Sequence, residues 1–373
     1  MRKIGIYILF GICVLFSCVN VAMAGDDGFV SVSDETSFDE CIKNAGTCRI
    51  MSNLNFTSKK EIDKEVVIDL NGFIIEPISD LKLHSGLIHI NRGGKLTIND
   101  SKGSGKISTG TNSEVWAAIQ VLKDNNGSET AEVTINGGSI EGYYYGITGN
   151  GNYHNSKIVI NGGSVKGLNK EDSAGIYHPQ KGELIINNGV IQGGTGIEIR
   201  AGSLVVNNGE IEGIAPKFVK MVNKSGTTTN GVGIAVAQHV TKETIDVTVN
   251  SGNVKGEYAF YEWNPHENSR EDLNKITIHL NGGNYTGLAT GVHAVYSEDF
   301  KDFITGGKYN TDVSEYLTDN AKLAASTLNS DIVMDITPNK SNFPKILVGI
   351  VIIVSVGCLV LVCKKKNLLF FNY

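Results

Sequence analysis

The chain has 373 residues, 41% hydrophobic and 19% charged, with a formal charge of −6 and a pI near 5.8. Glycine is abundant (44) and proline scarce (6). With no three-residue period this excludes a collagen-like rod, and the hydrophobic fraction excludes a disordered chain. The acidic balance disfavours a nucleic-acid-binding surface.

The N-terminus reads as a secretory signal over residues 1–24. Arg2 and Lys3 precede an apolar run over 4–14, and Ala22-Met23-Ala24 fits a small-x-small cleavage pattern. Residues 25–50 follow as an N-terminal cap. Ser37-x-x-Glu40 reads as a capping box, with Phe38, Cys41, Ile42 and Ala45 along one helical face and Gly46 as a stop. Cys41 and Cys48 are the two cysteines of the exported part. An oxidising compartment permits one bridge between them, although so short a loop often misses the required geometry.

Residues 51–310 are repetitive. The phrases VTINGGSIEG, IVINGGSVKG, LIINNGVIQG, LVVNNGEIEG, VTVNSGNVKG and IHLNGGNYTG place asparagines at Asn136, Asn161, Asn187, Asn207, Asn250 and Asn281. Asn71 and Asn99 read as divergent members, and Thr305 stands in the last copy. A second phrase alternates with the first, as in Gly146-Ile147, Gly175-Ile176, Gly196-Ile197 and Gly233-Ile234. Asn-Gly between strands ordinarily signals a hairpin, but strands of three or four residues make marginal hairpins. Stacked coils suit them better. Each strand pairs with its equivalent one coil away, and equivalent corner asparagines hydrogen-bond along the stack. The expected fold is all-β, a right-handed parallel β-helix of about eight or nine coils with short helical caps.

Two insertions interrupt the repeat. Residues 214–231 form a polar, locally basic loop. Residues 257–275 concentrate aromatics, of which Phe260 takes the inner position of the Gly-Ile phrase and reads as core. Tyr261, Trp263 and His266, with Tyr144 from the Tyr143-Tyr144-Tyr145 run, are the candidate ligand-binding residues, because aromatic faces stack on sugars or anchor protein contacts.

Residues 311–330 are expected to form a C-terminal cap, helical over 312–325, and residues 331–345 a linker. Residues 346–363 carry no charge and are followed by Lys364-Lys365-Lys366. As a helix this run spans about 27 Å, the reach of a transmembrane segment with its basic end in the cytoplasm. Residues 364–373 are then a cytoplasmic tail. The expected location is a single-pass cell membrane protein with its N-terminal domain outside. Setting aside the six cations at the two ends (Arg2, Lys3, Lys345 and the three terminal lysines) takes the formal charge from −6 to −12, which disfavours adsorption to anionic lipid.

The stretches VVIDLNGFII, GGKLTINDSKGSGKI, AGIYHPQKGELIINNGVIQGGTGIEIRAGSLVVNNGEIEG and ITGGKYNTDVSEYL resemble the pectate-lyase-like β-helix surface proteins of Gram-positive, gut-type bacteria, often described as adhesin-like. The resemblance covers nearly all of the exported part. It implies a parallel β-helix and a surface address without implying an activity.

Catalytic motifs are poorly matched. Asn310-Thr311-Asp312 and Gly25-Asp26-Asp27 stand in the wrong order for a polygalacturonase, and its GHG and RIK segments are missing. Val115-Trp116 lacks the Asp-His that would follow it in a pectate lyase. Glu198 and Arg200 lie on alternate positions of one strand and read as a surface ion pair, and His178 reads as a corner residue. No cofactor or metal is expected, since two cysteines without nearby histidines make no zinc site. The sequence reading is therefore a non-catalytic, membrane-tethered surface protein whose loops contact a glycan or a host or cell-surface protein. The alternatives are a polysaccharide lyase or hydrolase with an unrecognised site, and a structural envelope spacer.

Overall fold

The computed structural model describes residues 28–338, apart from Ala45, residues 122–128, Asn223, Thr290, Val292 and residues 329–330. The expected signal segment, the apolar run over 346–363 and the basic tail lie outside the described residues. Among the described residues no helix is long and apolar enough to cross a membrane.

The chain is mostly β, wound as a solenoid-like stack of three long sheets that are parallel throughout except at the C-terminal end. The first sheet runs from Val30–Val32 to Ile276–Leu280, the second from Lys60–Ile62 to Val295–Ser297, and the third from Leu54–Phe56 to Gly307–Tyr309, where a hairpin is appended. One turn of the chain visits all three. Strand Ala131–Ile135 lies in the first sheet, Ser139–Gly142 in the third and Tyr145–Thr148 in the second. Strand Ser156–Ile160 then returns to the first, with Val133 opposite Ile158 and Ile135 opposite Ile160. Strands this short satisfy their main-chain donors and acceptors only through the coils on either side.

Alternation along each strand fills the interior. In the second sheet Ile88, Ile119, Ile147, Ile176, Ile197, Ile234, Phe260 and Val295 occupy one register column, and all are fully buried. The glycine before Ile147, Ile176, Ile197 and Ile234 has a steric cause. A Cβ on Gly196 would lie 2.5 Å from the carbonyl oxygen of Gly233 and 2.8 Å from Ile211 Cγ2, so this position admits main chain alone.

The corners carry an asparagine ladder. Asn136 Nδ2 donates to Asn99 Oδ1 at 2.9 Å, Asn161 to Asn136 at 2.8 Å, Asn187 to Asn161 at 2.8 Å and Asn207 to Asn187 at 2.9 Å. Asn250 and Asn281 continue it, and Thr305 Oγ1 closes it on Asn281. From Asn136 onward the residue that must be glycine stands two positions after each ladder asparagine: Gly138 has φ 78° and Gly209 φ 119°, a region costly for residues with a Cβ. The residue between is free to vary, as Gly137, Asn188 and Ser251 show. Asn71 lies outside the ladder. Asp69 takes the register position opposite Asn99, and Asn71, at φ 49°, donates instead to the Ile50 carbonyl.

Helix Glu35–Lys43 packs Phe38, Cys41 and Ile42 against the first coils, and a disulfide joins Cys41 to Cys48. Its cap differs from the expected one. Asp34 is the N-cap and accepts from Ser37 N, while the Ser37 hydroxyl receives the Asp34 amide. The box is therefore Asp34 with Ser37, one turn before Ser37 with Glu40, because Asp34 is the last extended residue and faces the orphan amides of the first turn.

The C-terminal end departs further from expectation. In place of a helix over 312–325 there is a single 3-10 turn, Ser314–Tyr316, followed by strands Ala321–Leu328 and Asp331–Pro338. The second strand pairs antiparallel with Gly307–Tyr309, so part of the expected linker is strand. An open sheet edge presents unpaired main-chain groups, and pairing them outweighs the local helical pattern.

Asn187 sits mid-ladder, donating to one neighbour and accepting from the other. Asn187→Ala should cost about 1–2 kcal/mol, read as a lower urea midpoint at unchanged m-value.

Candidate functional site

The second sheet carries an outward row in register: Glu61, His89, Gln120, Thr148, Tyr177, Glu198, Ala235, Tyr261 and Tyr296. Strand parity alone would turn all of them to solvent. The insertion over 214–231 changes that. Its strands Val219–Lys220 and Thr229–Asn230 pair antiparallel, and the loop folds over the later part of the row. A second apolar cluster forms beneath it from Val232, Ala235, Ala237, Tyr261 and Trp263, packed by Phe218, Tyr258 and Tyr296.

Tyr261 and Trp263 are consequently buried, each 4% exposed. Phe218 packs 4.7 Å from the Tyr261 ring, and Lys220 Nζ sits 4.6 Å over the Trp263 ring. Neither offers a free face to a ligand. The 257–275 segment is likewise no outward loop, since Tyr258–Glu262 is a strand of the second sheet and Arg270–Leu273 a short helix.

Glu198 and Arg200 are fully buried, which corrects their reading as a surface pair. They clamp the covering loop. The Glu198 carboxylate accepts from the Thr228 amide at 2.7 Å and hydroxyl at 2.8 Å, and from the Thr229 amide at 3.2 Å and hydroxyl at 3.1 Å. Arg200 donates to the carbonyls of Ala237 (3.1 Å), Gly226 (2.9 Å) and Lys224 (3.4 Å), and to the Tyr177 hydroxyl (3.3 Å). Its remaining arm meets His266 Nε2, so His266 serves the clamp. Burial raises the Glu198 carboxyl above its usual range, opposed by Arg200 and the threonine donors.

Where the loop ends, the row opens into a groove of about 600 Å³, within the range of small-ligand sites. Lys224, Ser225 and Gly226 of the loop line it together with Trp116 and Tyr144, and Gln120, Thr148 and Tyr177 of the outward row line it as well. Trp116 is 42% exposed and meets His84 edge-on. Tyr145 stacks on Tyr177 at 5.2 Å. Lys224 Nζ closes on both oxygens of Asp172, at 2.6 and 2.7 Å.

Protonation within the groove is fixed by its surroundings. Burial, then the Arg200 charge and His266, bring His239 down to about 4. Burial and Arg200 lower His266 as well. Burial raises the phenols of Tyr145 and Tyr177, so both stay protonated. His178, on strand Ala174–His178 and fully buried, is brought down to about 4 by burial. Asp172 is the one carboxylate among the described residues that line the groove. No group of three or more His, Cys, Asp or Glu among the described residues is arranged to hold a metal ion.

Of the sequence candidates, Tyr144 alone lines the groove. His266 lies behind it on Arg200, and Tyr261 and Trp263 lie under the loop. Trp116, Asp172 and Lys224 were not singled out as binding residues. Trp116 stands one residue before strand Ala117–Val121, off the inward column, and that offset is its one signal in the sequence. No protein-family model, curated protein or solved structure matches the chain.

Arg200→Leu leaves the buried Glu198 without its cation and should cost about 3–5 kcal/mol. Limited trypsin digestion should then cut at Lys220 and Lys224 faster than in the wild type, because the loop loses its fastening to Arg200. The His239 shift carries a sign. Its folded value, about 4, lies below the ordinary 6.5, so the unfolded chain takes up the proton first and stability falls as pH drops from 6.5 toward 4. Thermal melts across that range should show a smaller loss for His239→Gln than for the wild type.

Proposed function

We propose that the chain is a right-handed parallel β-helix displayed outside the cell and tethered through residues 346–363, and that it binds glycan through the groove of its second sheet without transforming it. The observation that carries this reading is the combination of an exposed tryptophan and Tyr144 with a carboxylate, an ammonium and side-chain amides around one open groove. Aromatic faces stack on the C–H faces of sugar rings, and the polar groups fix hydroxyls. A buried clamp holds the wall of the groove before any ligand arrives, which lowers the ordering cost of binding.

Hydrolysis through two opposed carboxylates finds Asp172 alone among the described lining residues, so binding is favoured over turnover. The pectate-lyase-like resemblance supports the same reading at the level of fold and surface address.

The test uses the full chain on a glycan array with mucin and pectin, with reducing and unsaturated ends followed in parallel. Binding should weaken at least about tenfold in the Trp116→Ala, Tyr144→Ala double variant, with no new chain ends. Tyr261→Ala should lower thermal stability through lost packing under the loop. Binding unaltered by the double variant would place the site elsewhere.

A further inference from the structure

We propose that the groove selects an uncharged oligosaccharide, and that Asp172, by holding Lys224, is the residue that sets this selectivity. The inference rests on the glycan-binding reading above and narrows its ligand class.

The charges around the groove are already spent. Arg200 is fully buried, and its donors go to three main-chain carbonyls, the Tyr177 hydroxyl and His266. Lys224 is closed on both oxygens of Asp172. His239 and His266 are held uncharged near neutral pH by burial and by Arg200 itself. The described lining therefore presents one ammonium and one carboxylate in contact, with no net charge. A uronate or sulfate is bound by charge-assisted donors. Here it would have to displace a carboxylate already on the ammonium and then remain beside it, which like-charge repulsion opposes.

Hydroxyls meet the opposite situation. The Asp172 carboxylate has acceptor capacity beyond Lys224 and the Thr227 hydroxyl. Gln120 accepts the Gly86 amide through Oε1, which leaves its amino group as a donor toward the groove. Asn150 and Asn152 line the same groove and carry further side-chain amides. One carboxylate and several amide donors near an aromatic face suit vicinal hydroxyls on a neutral ring. The lining residues come from successive coils, Trp116 and Gln120 from one, Tyr144 and Thr148 from the next and Tyr177 from the third, so the ligand lies along the stack.

The experiment measures binding of the full chain to cellohexaose, mannohexaose and N-acetylchitohexaose, and separately to hexagalacturonate and a heparin hexasaccharide, at about 50 and about 500 mM NaCl. At least one neutral hexasaccharide should bind more tightly than both anionic ones, with Kd changing less than about twofold across that salt range. Trp116→Ala should weaken it at least about tenfold. Asp172→Asn keeps the side-chain shape while uncovering Lys224. It should move the preference toward hexagalacturonate, and circular dichroism should show the variant folded. Anionic probes that bind as tightly as the neutral ones, or a folded Asp172→Asn that keeps the neutral preference, would overturn the selectivity while leaving glycan binding in place. Failure of every probe in both sets would overturn the glycan-binding reading and this inference with it.

Discussion

Everything in this molecule depends on main-chain hydrogen bonds between equivalent strands of successive coils. Strands of three to five residues cannot hold themselves, and each is held by the copy before it and the copy after it. That dependence imposes strict register, because a slip of one residue would turn an inward isoleucine column to solvent and bring the outward row into the core. The asparagine ladder reports the same register from the corners, since side-chain amides reach one another only where successive turns superimpose. The ends of the stack are where the dependence fails, and there the chain adds a disulfide-pinned helix on one side and an antiparallel hairpin on the other.

A regular stack offers little to recognise. The site arises where regularity is interrupted. The insertion over 214–231 covers part of an outward row and stops short of the rest, so a repeating surface becomes a roofed section beside an open one. The roof needs its own fastening. Glu198 and Arg200 supply it from adjacent outward positions, and neither charge faces solvent. Two buried ions carry a heavy desolvation cost, and here they are matched by loop main chain, the two threonine hydroxyls, the Ala237 carbonyl, Tyr177 and His266. The pair thus works as a positioning device for the groove wall.

The aromatic residues show how covering a surface reassigns it. Tyr261 and Trp263 belong to an outward face and lie under the loop as packing for a second core. Trp116, from an earlier coil, lies beyond the reach of the loop and stays exposed. Aromatic content therefore does not locate the groove; the extent of the roof does. The charges follow the same logic, since Arg200 is consumed by the roof and Lys224 by Asp172, and among the described lining residues the ammonium and the carboxylate face each other.

The sequence by itself determined the repeat: its period, its asparagine corners, the glycine-isoleucine strands, the inward columns and the variable loops between coils. Each of these is local chemistry repeated, so one copy explains the others. The tertiary structure decided what no single copy contains. It placed the capping residue at Asp34, because only the folded path shows which residue is last to be extended. It replaced the expected terminal helix by a hairpin, because an unpaired sheet edge is a property of the whole stack. It brought Trp116, Asp172 and Lys224 together from coils far apart in the chain, and it buried Glu198 and Arg200 under residues they do not neighbour in sequence. Register between coils is written in every repeat, whereas coverage of one coil by the insertion of another depends on where that loop comes to rest.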